Sequence, residues 1–219
     1  MNIFEQLKTY WVKEGREFDK FYSTPAFSLR KLVSAFLDKR TMVLKNMLGD
    51  TSNKKILDLA CGSGVQMVDL APVCREIVGA DISEELLKLA ERELSLPKTK
   101  NWNLVLADAA NLPFPDKSFD VIYALGLLDY VEAPAAILRE CRRALALEGC
   151  VILTIPKKPS VFALFRVRPG SWLRRKMFHL PPIANACTRR QLLQMLEDSK
   201  FKPVRLRSLW STMWIVKAM

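Results

Sequence analysis

A chain of 219 residues, half of them hydrophobic, is long enough to bury one sizeable core and is expected to form a single α/β domain. No apolar run reaches the ~20 residues that cross a bilayer, and MNIFEQLKTYWVKEGREFDK is polar where a secretory leader needs an apolar stretch, so a cytoplasmic protein is expected, with peripheral membrane contact still open to it. Five scattered cysteines without a CxxC pair and a lone histidine, His179, argue for reduced buried thiols and against a metal site, while a net charge of +11 calls for an anionic partner: nucleic acid, a membrane surface or an acidic small molecule.

The elements follow in chain order. Residues 2–22 suggest a short helix ending in aromatics. Over residues 28–48, Leu29, Leu32, Val33, Phe36, Leu37, Val43, Leu44, Met47 and Leu48 recur at helical spacing, and Gly49 suits the position just past a helix. From Lys54 short apolar runs alternate with helical patterns. Strands are expected at KKILDLA (54–60), EIVGAD (76–81), NLVLAD (103–108), FDVIYAL (119–125) and CVILTIP (150–156), with helices at 64–70, 83–94 and 134–146. Strands too apolar to have a wet face belong to a parallel sheet covered on both sides. A long insertion, 157–187, precedes a helix at 188–199. Two further runs, 204–209 and 212–218, are close enough to form an antiparallel hairpin at the sheet edge. The expected fold is a doubly wound, mostly parallel seven-stranded sheet of Rossmann-like type with an antiparallel C-terminal strand.

The most specific motif is Ile56-Leu-Asp58-Leu-Ala60-Cys-Gly62-Ser-Gly64, a strand running into a glycine turn and a helix. Gly62 and Gly64 tolerate positive φ, and the free N–H groups of the next helix favour a carboxylate. A dinucleotide site wants G-x-G-x-x-G, but the third position is Met67, and Asp58 suits a cationic amine rather than a pyrophosphate. The second strand ends in Asp81, where a carboxylate accepts ribose hydroxyls, and the third in Asp108-Ala109, where one accepts from an adenine amino group. Amino acid, ribose and adenine each have a receptor, and no phosphate binder is left over. Ser83 is the better cap for the following helix, which leaves Asp81 for a ligand.

In these motifs, and in GADIS, LADAANLPFPDKSFDVIYAL and PAAILRECRRALALEGCVILTIP, the chain resembles the class I S-adenosylmethionine (SAM) dependent methyltransferases, in the small-molecule type 11 subfamily that includes quinone and lipid methyltransferases. The resemblance runs from about Lys54 to Pro156. It implies that Asp58, Ala60, Gly62 and Gly64 hold the methionine part of SAM, Asp81 the ribose, and Ile82, Asp108 and Ala109 the adenine, with Leu125 on the floor. It also implies a helical lid over residues 1–50 on a core of 51–219, closed by the aromatics Tyr10, Trp11, Phe18, Phe21 and Tyr22. Where relatives often carry a His pair after the fourth strand, this chain has Asp129-Tyr130.

Methyl transfer needs alignment more than a nucleophile, and a base only when the acceptor holds a proton. Asp129, Tyr130, His179, Tyr22 and Tyr123 are the candidates. The stretch Ala124-Leu-Gly-Leu127 lacks the [DNS]-P-P-[YFW] of amino-methylating nucleic-acid enzymes. Between Glu148 and Glu197 there are nine basic residues and no acid, and within 157–187 the cations interleave with Phe162, Phe165, Trp172, Leu173 and Phe178. Such a segment suits an anionic membrane or a lipophilic acceptor, and less well nucleic acid. The expected function is SAM-dependent methylation of a small lipophilic acceptor; RNA methylation and a non-catalytic SAM-binding protein are the alternatives.

Overall fold

The computed structural model describes residues 9–11, 28–96, 99–159 and 185–219. The helix expected over 2–22, Tyr22, His179 and residues 160–184 of the insertion lie outside the described residues, apart from Tyr10 and its neighbours. The strands are β1 (Lys55–Leu59), β2 (Glu76–Asp81), β3 (Trp102–Leu106), β4 (Phe119–Ala124), β5 (Leu145–Pro156), β6 (Pro203–Leu209) and β7 (Met213–Ala218). The helices are α1 (Ser28–Leu48), α2 (Val65–Leu70), α3 (Glu84–Ser95), α4 (Pro134–Ala144) and α5 (Arg189–Asp198).

The strands form one sheet in the order β3-β2-β1-β4-β5-β7-β6. Strands β1 to β5 pair in parallel, and β7 lies antiparallel between β5 and β6, so the predicted hairpin exists with β6 as the edge. Residues along β1 alternate between two cores, as the pleat requires. Ile56 faces a cluster with Val43, Leu44, Met67, Ala90 and Tyr123. Leu57 and Leu59 face the other, with Leu138, Cys141, Leu192 and Leu196. All five cysteines are free and buried. Among the described residues no helix is long and apolar enough to cross a membrane.

At two places the elements differ from the sequence reading by more than one residue. Strand β3 ends at Leu106, two residues early, because the chain turns at Asp108, whose carbonyl accepts from Asn111 N at 2.9 Å. Helix α4 ends at Ala144, and β5 begins at once, five residues before the expected start. Leu145 pairs with Phe119 and is buried with it; the ladder then shifts register before Cys150 pairs with Val121. Tertiary pairing there overrides a helical pattern that continued to residue 146.

Helix α1 is fixed to the sheet at its C-terminal end. Gly49 has a φ of 70° and donates to Lys45 O, closing the helix in the left-handed manner expected of it. Lys217 Nζ and Arg205 donate to Met47 O and Asn46 O at 2.8 and 3.4 Å, supplying cations to the last turn, where the helix dipole favours them. On the other side of the sheet, Arg143 of α4 holds the loop after β3 through Leu112 O, Phe114 O and Asp116, while Glu140 accepts from Leu112 N.

The close packing of α2 on the sheet depends on a strand glycine. A Cβ at Gly79 would lie 2.5 Å from Met67 Sδ, 2.9 Å from Cys61 Sγ and 2.9 Å from Leu104 Cδ2. Gly79→Ala is therefore expected to destabilise the protein by about 1–3 kcal/mol, the usual cost of overpacking. Denaturant unfolding checks this; an unchanged midpoint would contradict the packing described.

Candidate active site

Strand β1 delivers the chain to a turn with an unusual backbone. Ala60, Gly62 and Gly64 have φ values of 61°, 56° and 77°. Ala60 holds this conformation although it has a Cβ, because Ala60 N and Cys61 N both donate to Ala80 O, at 2.8 and 3.2 Å. Gly64 caps α2 and faces Ala90, where an added Cβ would come within 3.0 Å of the Ala90 Cβ. Gly62 faces open space: nothing lies within 4 Å of the point a Cβ would occupy. The open side of the turn is where a ligand can reach the backbone.

The next strand supplies Asp81, whose carboxylate is set by the turn itself. Oδ2 accepts from Gly62 N and Oδ1 from Ser83 N, each at 2.9 Å. Ser83 caps α3 by accepting from Leu86 N, as its sequence position suggested. Burial raises the Asp81 carboxyl above its ordinary value, and the backbone donors of Ser83, Gly62 and Ile82 pull it back. Asp58 is only 2% exposed. Its Oδ2 and the hydroxyl of Tyr123, buried beside it, make no well-formed hydrogen bond within the protein. Burial pushes the Asp58 carboxyl up to about 7; the Tyr123 hydroxyl and Arg40 oppose the rise and Asp81 adds to it. Two carboxylates therefore share one buried edge of the sheet, and one of them has an oxygen that nothing in the chain satisfies.

The remaining residues read from the sequence lie just beyond the ends of β2, β3 and β4. Asp108 is exposed just beyond β3, with Oδ1 accepting from Ala110 N at 2.9 Å, and Ala109 is half-buried beside the core. Ile82 and Leu125 are half-buried. After Leu125 the chain turns at Gly126, with a φ of 85° and its N–H donated to the buried Thr154 hydroxyl at 2.8 Å. A Cβ at Gly126 would lie 3.5 Å from the guanidinium of Arg40, which brings that cation to the end of β4.

Beyond this turn, Tyr130 is half-buried and meets Trp11 edge to face, with ring centroids 5.2 Å apart. Asp129 is buried. Asn185, at the return of the insertion, binds this loop three times: its backbone N–H donates to Asp129 O, and its side-chain amide donates to Leu128 O and Val131 O. Burial, with Asp129 adding to it, pushes the nearby Cys187 thiol up to about 12, so it stays protonated. Tyr123, named as a possible base, is fully buried under Asp58, and its phenol is pushed well above its ordinary value, so it forms a floor and gives up no proton. Among the described residues no group of His, Cys, Asp and Glu could hold a metal.

Sequence reasoning missed two residues here. Arg40 stands among Leu37, Val43 and Leu44, where the spacing of the apolar stripe calls for a hydrophobe; a lone cation on that row was the available signal. Asn185 carried no signal, because its partners are backbone carbonyls more than fifty residues away.

A methyltransferase domain matches residues 57–153. The chain is 28% identical over 228 aligned positions to a demethylmenaquinone methyltransferase of Staphylococcus aureus, spanning 93% of this chain and 88% of that one. It is 34% identical over 134 positions to the demethylmenaquinone methyltransferase of Thermotoga maritima, where the match spans 57% of this chain and about half, 54%, of the relative. Among solved structures, magnesium protoporphyrin IX methyltransferase from Synechocystis with bound SAH superposes with a TM-score of 0.77 at 18% identity, over 99% of each chain.

A carboxyl titrating at about 7 when folded and near 3.8 when unfolded binds more protons in the folded state between those values. Its contribution to stability is complete below about pH 4 and is lost as pH rises through 7. The loss is on the order of 4 kcal/mol. Without cofactor, Asp58→Asn is expected to gain on the wild type by up to that amount between pH 4 and pH 8. Urea unfolding across this range checks it; a stability difference independent of pH would contradict the assignment.

Proposed function

We propose that this chain, a class I SAM-dependent methyltransferase, delivers its methyl group to a small lipophilic acceptor such as a quinol, a phospholipid headgroup or a phenol. The observation that carries the reading is the buried, unsatisfied oxygen of Asp58 beside Asp81, at the strand ends where an open parallel sheet binds its ligand. A cationic amine satisfies that oxygen. The relatives named for demethylmenaquinone support an acceptor of the quinol class.

When bound, SAM supplies a methyl group on a sulfonium, so transfer is an in-line displacement. The protein's work is to hold both partners and exclude water. In this reading Asp58 takes the amine of the methionine part, directly or through water, and the backbone of Ala60, Gly62 and Gly64 lies along it. Asp81, held by Gly62 N and Ser83 N, keeps lone pairs for the ribose hydroxyls. Ile82 packs on the adenine, Asp108 and Ala109 meet its edge, and Leu125 lines the floor. Arg40 adds a cation near Asp58 and takes the carboxylate of the amino acid.

The acceptor enters on the side of Asp129, Tyr130 and Trp11. Asp129, Tyr130, Tyr22 and His179 are the candidates to take a proton from the acceptor. Residues 1–50 act as the lid over a core of 51–219. The protein works in the cytoplasm, where the insertion 157–187 makes peripheral contact with an anionic membrane. RNA methylation is the second reading, and it rests on the same basic charge.

Asp81→Ala loses two charge-assisted hydrogen bonds, each worth about 1.5–3 kcal/mol, and is expected to weaken SAM binding by at least tenfold in calorimetry. Wild-type affinity in that variant would remove Asp81 from the site. Incubated with labelled SAM and total cell extract, the enzyme is expected to put label into the lipid fraction. Label in RNA alone would replace this reading with the second one.

A further inference from the structure

The protein's net positive charge comes from one part of the chain. The first 148 residues carry twenty Lys and Arg against twenty-one acids, whereas residues 149–219 carry fourteen against only Glu197 and Asp198. The fold brings several of these cations to the strand ends that border the crevice. Lys157 and Lys158 follow β5; Lys157 N donates to Thr212 O, and Lys158 N to Cys187 O. Arg207 lies near the end of β6, pairing with Ile215, and is exposed. Arg189 and Arg190, also exposed, open α5 two residues past Cys187. That is the helix end whose dipole disfavours cations, so neither is there to cap the helix. None of the five pairs with a described acid.

At the same end, the β6–β7 turn breaks the rules of its own geometry. Thr212 N donates to Leu209 O at 2.9 Å, closing the turn, and both central residues, Trp210 and Ser211, have positive φ, at 44° and 55°. Hairpins with two such residues favour Asn-Gly, since bulky side chains are strained there. A tryptophan occupies the first of these positions and stays 39% exposed. A strained turn that keeps a large aromatic partly exposed at its tip points to a role for that side chain at the surface.

We propose that the tip of the β6–β7 hairpin is a membrane anchor, with Trp210 entering the interface of an anionic bilayer while Arg207, Lys158, Arg189 and Arg190 face its headgroups. Tryptophan is suited to that depth because its ring is apolar and its N–H wet. Cations around it gain from the surface potential of the lipid. The tip stands at the end of the sheet where β5 leaves toward the insertion, so docking turns the crevice mouth to the bilayer. That a lipophilic acceptor enters from there rests on the function proposed above; membrane binding itself does not.

The test is co-sedimentation of the full chain with phosphatidylcholine vesicles containing about a third phosphatidylglycerol, at rising salt. The wild type is expected to bind at low salt and to be released as salt rises. The double variant Trp210→Asn, Ser211→Gly is expected to bind vesicles several-fold more weakly, yet to unfold at a higher temperature, with SAM affinity unchanged. Arg207→Gln with Lys158→Gln is expected to lower partitioning by up to about fivefold per charge removed. The proposal is overturned if the wild type does not bind these vesicles, if the turn variant binds them as well as the wild type, or if that variant unfolds earlier, which would make Trp210 a packing residue. Loss of RNA binding without loss of vesicle binding would assign the surface to nucleic acid instead.

Discussion

Burying a carboxylate away from water costs several kcal/mol unless donors or a counter-charge replace the lost hydration. Asp81 has its replacement in the backbone: the glycine turn donates from Gly62, and the start of α3 from Ser83. Asp58 has only the Tyr123 hydroxyl and the charge of Arg40 to set against its burial, and it is the more deeply buried of the two. The parallel register sets Asp58 opposite Gly79, two residues before Asp81, so the two acids come together on adjacent strands. The positive φ of Ala60 and Gly62, the close approach of α2 over Gly79, and Arg40 at the end of β4 all follow from building a turn around this pair. A site of this kind is incomplete until a cationic ligand arrives.

Much of the fold was legible in the sequence because it is written in local signals. Apolar runs too continuous for a wet face specified the parallel sheet. ILDLACGSG specified the turn, and EIVGAD and NLVLAD placed Asp81 at the end of β2 and Asp108 just beyond β3. Helix α1 was found to the residue because its apolar period is unbroken except at Arg40. The failures are the places where long-range contact decides. Leu145 is helical by pattern but extended in the fold, because Phe119 and the sheet claim it. Tyr123 was one of the candidate bases, but it lies within β4, where strand alternation turns it inward beside Asp58. The Asn185 clasp joins two loops far apart in the chain, and no spacing rule anticipates it.

The two sides of the proposed site differ in character. The side proposed for the cofactor is acidic and made of strand ends and short turns. The side proposed for the acceptor is aromatic and basic: Trp11 against Tyr130, the clasp at Asn185, then Lys157 and the hairpin with Trp210. This division suits a reaction in which a cationic, water-soluble cofactor meets a partner of the opposite kind. Lys157 also ties the end of β5 to the β6–β7 hairpin, since its ammonium lies 4.0 Å from the Trp214 ring centroid and donates to Ser208 of β6.

The central claim is that Asp58 waits as an unsatisfied acid for a cationic amine. Calorimetry at pH 5.5 and pH 7 with two ligands tests it: SAM, and methylthioadenosine, which keeps the ribose and adenine but lacks the amino acid. A carboxyl titrating at about 7 must lose its proton to bind the amine. SAM affinity is therefore expected to rise by about tenfold more than that of methylthioadenosine between the two pH values. If both ligands change by the same factor, Asp58 does not receive the amine and the account of the site fails.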